Sequence, residues 1–254
     1  MLRTIISDAY KWDERDQIVA ALDTLCNPND TYGWASAGIY CYWNYETKEI
    51  LYVGLAVDLT ERFKQHNDYY PSIDPRGCKV EQVKKYFNEN EKLGFSIVVQ
   101  SPLSQPSIRK VREQFSELFE ENELASETGQ SGIDEIQRLE GFLIESFLQI
   151  NKVLPSWNKI GGSVRGRRSV KPSNKTVLRI LASHEAHYLA AKSTLREIAA
   201  SAKLERYENY LHAVRMFVPF IGAQRAFDLL DAKDPVGTYG HIMSDNYLQK
   251  LLTL

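Results

Sequence analysis

Long apolar runs are missing from this chain. No stretch approaches the roughly 20 apolar residues that cross a bilayer, and no basic start followed by an apolar run and a cleavage site opens the sequence. A cytoplasmic protein with no membrane partner is the expectation. Cysteine is scarce: Cys26, Cys41 and Cys78 are odd in number and far apart, which excludes a disulfide framework and a zinc knuckle. No internal repeat, low-complexity tract or sustained heptad is present. With 254 residues, 43% of them hydrophobic, the chain is long enough to bury a sizeable core as one large domain or two modest ones.

A net charge of -2 hides an asymmetry. Residues 1–162 carry 17 Lys and Arg against 25 Asp and Glu, and residues 163–254 carry 14 against 8. A polyanion partner for the second part follows from that sign change. The densest basic stretch, "SVRGRRSVKPSNK" at 163–175, has five cations, no acid and a backbone loosened by Gly, Pro and Ser. It reads as a basic linker, with a solvated run of chance positive charge as the plain alternative.

Upstream of it, "WDERDQIVAALDTLC" repeats apolar residues at helical spacing, so residues 1–32 read as an N-terminal helical extension. "AGIYCYW" and "EILYV", separated by "NYETK", read as a two-strand antiparallel hairpin. Asp58 with Glu61 three residues later predicts a capped helix start. A helix over 79–92, a strand at "GFSIVVQS", a charged stretch from Lys110 to Glu127 and a helix from about Ile133 to Ile150 follow. The prediction is an α+β domain over 33–162 with a small antiparallel three-stranded sheet flanked by helices. Residues 176–254 show only helix formers and predict an all-helical domain. Within it "STLREIAASAKLERYENYLHAV" has the length of a helix-turn-helix, DNA-binding or simply self-packed.

Chemistry concentrates at the hairpin. Tyr40 and Tyr52 stand in facing strands, and Arg62 and His66, four apart, share one face of the next helix. Each tyrosine taken alone would be an ordinary half-buried strand ring. Together with Gly38-Ile39-Tyr40 and Tyr52-Val53-Gly54, the later glutamate helix and "PSWN", the set resembles the GIY-YIG nuclease superfamily over roughly residues 36–162. That resemblance implies a Mg²⁺-dependent endonuclease hydrolysing phosphodiester bonds of DNA, double-stranded in the first instance, with Mn²⁺ as a substitute ion. Arg62 would hold the scissile phosphate, a helical glutamate would bind the metal, and Asn158 would support the site. The additions on both sides of the core point to a restriction-like or mobile-element enzyme, and a homodimer would let two such sites cut both strands.

Two glutamates compete for the metal. On a helical wheel Glu140 falls inside the apolar arc of Ile136, Leu139, Leu143, Ile144 and Phe147, whereas Glu145 falls on the other side. A carboxylate within a buried stripe needs a cation or donors, which favours Glu140. Glu145 better matches the family's spacing to Asn158, so both stay open. For the base, Tyr40 is expected to take the proton from the attacking water, with Arg62, protonated His66 or the metal lowering its pKa and Tyr52 orienting it. His66 would assist proton traffic or grip phosphate. His184 and His187 lack a third metal ligand at a telling distance and read as an exposed helical pair. A non-catalytic nucleic-acid-binding module on the same scaffold and an RNA-directed nuclease are the competing functions.

Overall fold

The computed structural model describes residues 2–28, 33–70, 78–104, 128–172, 175, 177–182 and 187–254. The stretch from Lys110 to Glu127 and His184 lie outside the described residues. The elements run β1 (Leu2–Tyr10), α1 (Arg15–Leu25), β2 (Gly38–Asn44), β3 (Ile50–Ala56), α2 (Leu59–His66), α3 (Val80–Glu89), β4 (Leu93–Gln100) and α4 (Thr128–Asn151). Then come α5 (Val164–Arg167), α6 (Val177–Leu181), α7 (Leu195–Ala199), α8 (Ala202–Ile221), α9 (Ala223–Asp231) and α10 (Thr238–Ser244). Among the described residues no helix is long and apolar enough to cross a membrane.

The fold is α+β around one antiparallel sheet of four strands in the order β1-β4-β2-β3. The three expected strands are there, and the fourth, β1, corrects the reading of residues 1–32 as a helical extension. The expected helix, α1, follows that strand. The sheet is covered on both sides. Tyr40, Tyr42, Phe95 and Ile97 enter one core with Ile18, Leu22, Leu25 and Phe63 of α1 and α2. Ile39, Cys41, Trp43 and Val53 enter the other with Ile136, Leu143, Ile144 and Phe147 of α4. Period-two alternation therefore divides side chains between two cores, so β4 is buried at every position and reads as a continuous apolar run.

The C-terminal helices are tied to the sheet through β1. Ile5 N–H donates to Leu189 O at 2.8 Å and Ala191 N–H donates to Ile5 O at 2.8 Å, a parallel bridge along the outer edge of β1. Asp8, fully buried in the middle of β1, accepts from the Arg196 guanidinium at 2.9 Å. Arg215 donates to Thr4 Oγ1 at 3.1 Å and to Glu208 at 3.0 Å. The expected pair of helices around a short turn is α7 and α8, with Ser201 capping α8 by accepting from Leu204 N–H. The α8 face bearing Tyr207, Glu208, Leu211, His212 and Arg215 is buried.

The first part of the stretch 163–175 read as a linker is not loose. Residues 163–168 form a turn of helix packed on α4. Composition suggested a loose tether because Gly166 looks like a flexible residue. In the fold its missing side chain is what permits contact with the backbone of α4.

Candidate functional site

The hairpin register sets the site. Tyr40 pairs with Gly54 and Tyr42 with Tyr52, so all four occupy one face and Tyr40 and Tyr52 are diagonal neighbours. Their ring centroids are 5.6 Å apart. Tyr42 is not available for chemistry, since it is fully buried and its hydroxyl accepts from Asn67 Nδ2 at 3.0 Å, while Asn67 Oδ1 accepts from the Tyr10 hydroxyl. Gly54 is glycine for want of room: a Cβ there would stand 2.7 Å from the Tyr40 hydroxyl and 2.7 Å from Tyr52 Cε1.

Asp58 starts α2 by accepting from Glu61 N–H at 2.9 Å, and α2 then presents Arg62 and His66 toward the phenols. His66 Nε2 lies 2.7 Å from the Tyr40 hydroxyl, and His66 Nδ1 accepts from Lys79 N–H at 3.1 Å. Burial, with Arg62 and Lys79 adding repulsion, pushes the His66 pKa down to about 3. The ring is therefore neutral at pH 7, and the proton sits on Nε2 because Nδ1 is an acceptor. His66 consequently donates to Tyr40, whose ring is the neighbour of Tyr52. A directed chain results: Lys79 N–H to His66 and His66 to Tyr40.

That chain corrects two expectations. His66 is neutral and fully buried, so it neither lowers the Tyr40 pKa nor reaches a phosphate. Burial, seconded by Tyr52, holds the Tyr40 hydroxyl well above the usual phenol range. Tyr52 is half-buried, and although burial raises its pKa and Glu140 adds to the rise, Tyr40 and Arg62 act in the opposite direction. The more accessible phenol is Tyr52.

Arg62 is half-buried and its charge acts on Tyr40, Tyr52 and His66 at once. Among the described residues no carboxylate pairs with it. Lys79, which nothing in the local sequence pattern singles out, is a further cation of the cluster. It is 97% buried, since only 3% of its surface is exposed, and its Nζ lies 4.9 Å from the Tyr52 ring centroid. Burial first, and Lys159 second, lower its pKa.

Glu140 and Asn158 reach the same place along the free edge of β3. Asn158 Oδ1 accepts from Val53 N–H at 2.9 Å and its Nδ2 donates to Val53 O at 2.8 Å, extending the sheet by one side-chain rung. Trp157 N–H donates to Leu51 O at 2.8 Å two residues along the same edge. Asn158 thus positions β3 with both of its amide atoms occupied. The Leu55 backbone, next in the alternation, acts on the Glu140 carboxylate, and that carboxylate acts on Tyr52. Burial raises the Glu140 pKa and the Leu55 backbone opposes the rise. Glu145, by contrast, accepts from Gln149 Nε2 at 2.8 Å within its own helix. Among the described residues no three His, Cys, Asp or Glu side chains gather at one point. A single half-buried carboxylate fits an ion that retains most of its water, as Mg²⁺ does. Comparison with family models, curated proteins and solved structures returned no match.

Proposed function

We propose that this cluster hydrolyses phosphodiester bonds of DNA, as an endonuclease of the GIY-YIG type. One observation carries the reading: a guanidinium with no carboxylate partner among the described residues, two neighbouring phenols and a half-buried carboxylate, from positions 40 to 140, act on one another around one end of a hairpin. Phosphoryl chemistry needs a proton acceptor for the attacking water, a cation for the non-bridging oxygens and charge relief at the leaving oxygen. Arg62 supplies a planar fork suited to two phosphate oxygens. Tyr52 is the acceptor in this proposal, because it is the more accessible phenol and a phenolate there would lie beside Arg62 and Lys79. His66 holds Tyr40 as donor, and Asn158 fixes the strand that carries Tyr52. Glu140 would hold Mg²⁺, and such an ion when bound supplies positive charge for the leaving oxygen.

The test is incubation of the protein with supercoiled plasmid, duplex oligonucleotide and RNA, in Mg²⁺ or in EDTA. Cutting of DNA that requires the ion and is lost in Arg62→Ala is the expected result. Absence of cutting under every condition, or undiminished cutting by Arg62→Ala, would overturn the proposal, and cutting confined to RNA would transfer it to an RNA-directed nuclease.

A further inference from the structure

The first half of the densest cationic run in the chain packs against the helix that carries Glu140. Gly166 has its Cα so close to α4 that a Cβ would stand 2.1 Å from Arg138 O and 2.8 Å from Phe142 N. On the α4 side, a Cβ on Gly141 would stand 2.3 Å from Ser163 O. Two glycines therefore face each other's backbones, and the contact falls next to Glu140 in sequence. Ser163 caps the turn by accepting from Gly166 N–H at 3.1 Å, and the Ser169 hydroxyl closes it on Gly166 O at 2.6 Å. With the backbone fixed this way, Arg165, Arg167 and Arg168 are exposed on the outer side. Among the described residues no carboxylate is paired with any of the three. Arg167 also leans back toward the Asn158 loop: its Nη1 is 3.5 Å from where a Cβ on Gly161 would stand.

Three unpaired guanidiniums on a docked turn, adjoining the loop that carries Asn158 and the helix that carries Glu140, have the chemistry of a polyanion contact. We infer that residues 163–168 form a phosphate track that grips the backbone of duplex DNA beside the cleavage centre and sets its direction across the site. The inference rests on the proposed nuclease reading for its choice of DNA. The arginines contact backbone phosphate and carry no sequence information, so the effect is uniform across sequences. Because the turn is seated on α4, the track keeps a constant distance from Glu140, which a flexible tether would not do.

The full-length protein carrying Arg165→Gln, Arg167→Gln and Arg168→Gln together tests this, with duplex oligonucleotide affinity measured in EDTA across a salt series. Three lost phosphate contacts make the log–log salt slope shallower by about 2.7, while the unfolding midpoint and the cutting rate at saturating DNA stay at the wild-type values. The triple Arg→Lys variant retains the slope. Gly166→Ala, which keeps every charge but forces a methyl group into the α4 backbone, weakens binding as well. A wild-type slope in the glutamine variant, or wild-type binding in Gly166→Ala, overturns the track. A larger effect on single-stranded RNA than on duplex DNA overturns the choice of partner. A shallower slope in a protein that cuts nothing supports the track and removes only the nuclease reading, whereas an unchanged slope in a protein that cuts removes only the track.

Discussion

Tyr40 lies directly across the β2–β3 hairpin from Gly54, and its hydroxyl fills the space a side chain at Gly54 would take, 2.7 Å from the position of a Cβ. The second glycine of the paired triplets is thus a requirement of the first tyrosine. Gly54→Ala is expected to push both phenols off their rotamers. It should destabilise the fold by about 1–3 kcal/mol, the usual cost of overpacking, and uncouple Tyr40 from His66. Urea unfolding of the variant measures the first effect and Mg²⁺-dependent plasmid cutting the second.

The hydrogen-bond chain from Lys79 through His66 ends on the buried Tyr40 hydroxyl and leaves Tyr52 as the more accessible phenol. Tyr52→Phe should lower the cutting rate by roughly 10²–10⁴, the range for losing a general base, and Tyr40→Phe by less, because the buried Tyr40 hydroxyl is held by His66 and does not meet the attacking water. The base must be deprotonated and burial raises the Tyr52 pKa, so the rate should climb with pH throughout the neutral range. Single-turnover rates against pH for both variants check the ranking. A larger loss in Tyr40→Phe would return the role to Tyr40.

The two candidate carboxylates differ in what they touch. Glu140 lies where the Leu55 backbone of β3 and the Tyr52 phenol act with it, and Glu145 is occupied by Gln149 one turn along α4. Glu140→Gln should abolish Mg²⁺-dependent cutting while leaving DNA affinity in EDTA unchanged. Glu145→Gln should cut as the wild type does. Mn²⁺ titration followed by electron paramagnetic resonance, on each variant, reads the ion directly.

Two neutral buried imidazoles make stability depend on pH in a definite direction. His66 and His212 both have pKa values lowered from 6.5 to about 3, by burial first and then by neighbouring arginines. Between those values the unfolded chain binds protons that the folded chain does not. Their contribution is therefore complete above pH 6.5 and declines as pH falls toward 3. Each adds a slope of up to about 1.4 kcal/mol per pH unit in that window. Urea midpoints collected from about pH 7 down to about pH 4.5 should fall steadily, and His212→Asn should remove about half of the slope.

Much of this was legible because it is local. The hairpin, the Asp58 cap and the Arg62–His66 spacing each lie within a few residues of one another, and the apolar arc around Glu140 repeats at helical period. What stayed hidden depends on partners far along the chain. Strand β1 contains Asp8, a residue depleted in strands, and its neutralising Arg196 is 188 positions away. Lys79 carries no motif, and it joins the cluster only because α2 turns His66 back onto its amide. The neutral state of His66 was equally invisible, since spacing does not report that a ring is fully buried.

The parallel bridge at Ile5 has a consequence for how the chain assembles. Both outer margins of the sheet are closed by segments that are not strands: residues 189–191 along β1 and residues 157–158 along β3. Unsatisfied strand margins recruit other chains, and here each is sealed by sequence that leaves the ribosome well after the strand it protects. The amino-terminal margin must wait for about 180 further residues. Such distant closure slows folding, and a nascent chain halted before residue 189 would carry an open template for intermolecular pairing.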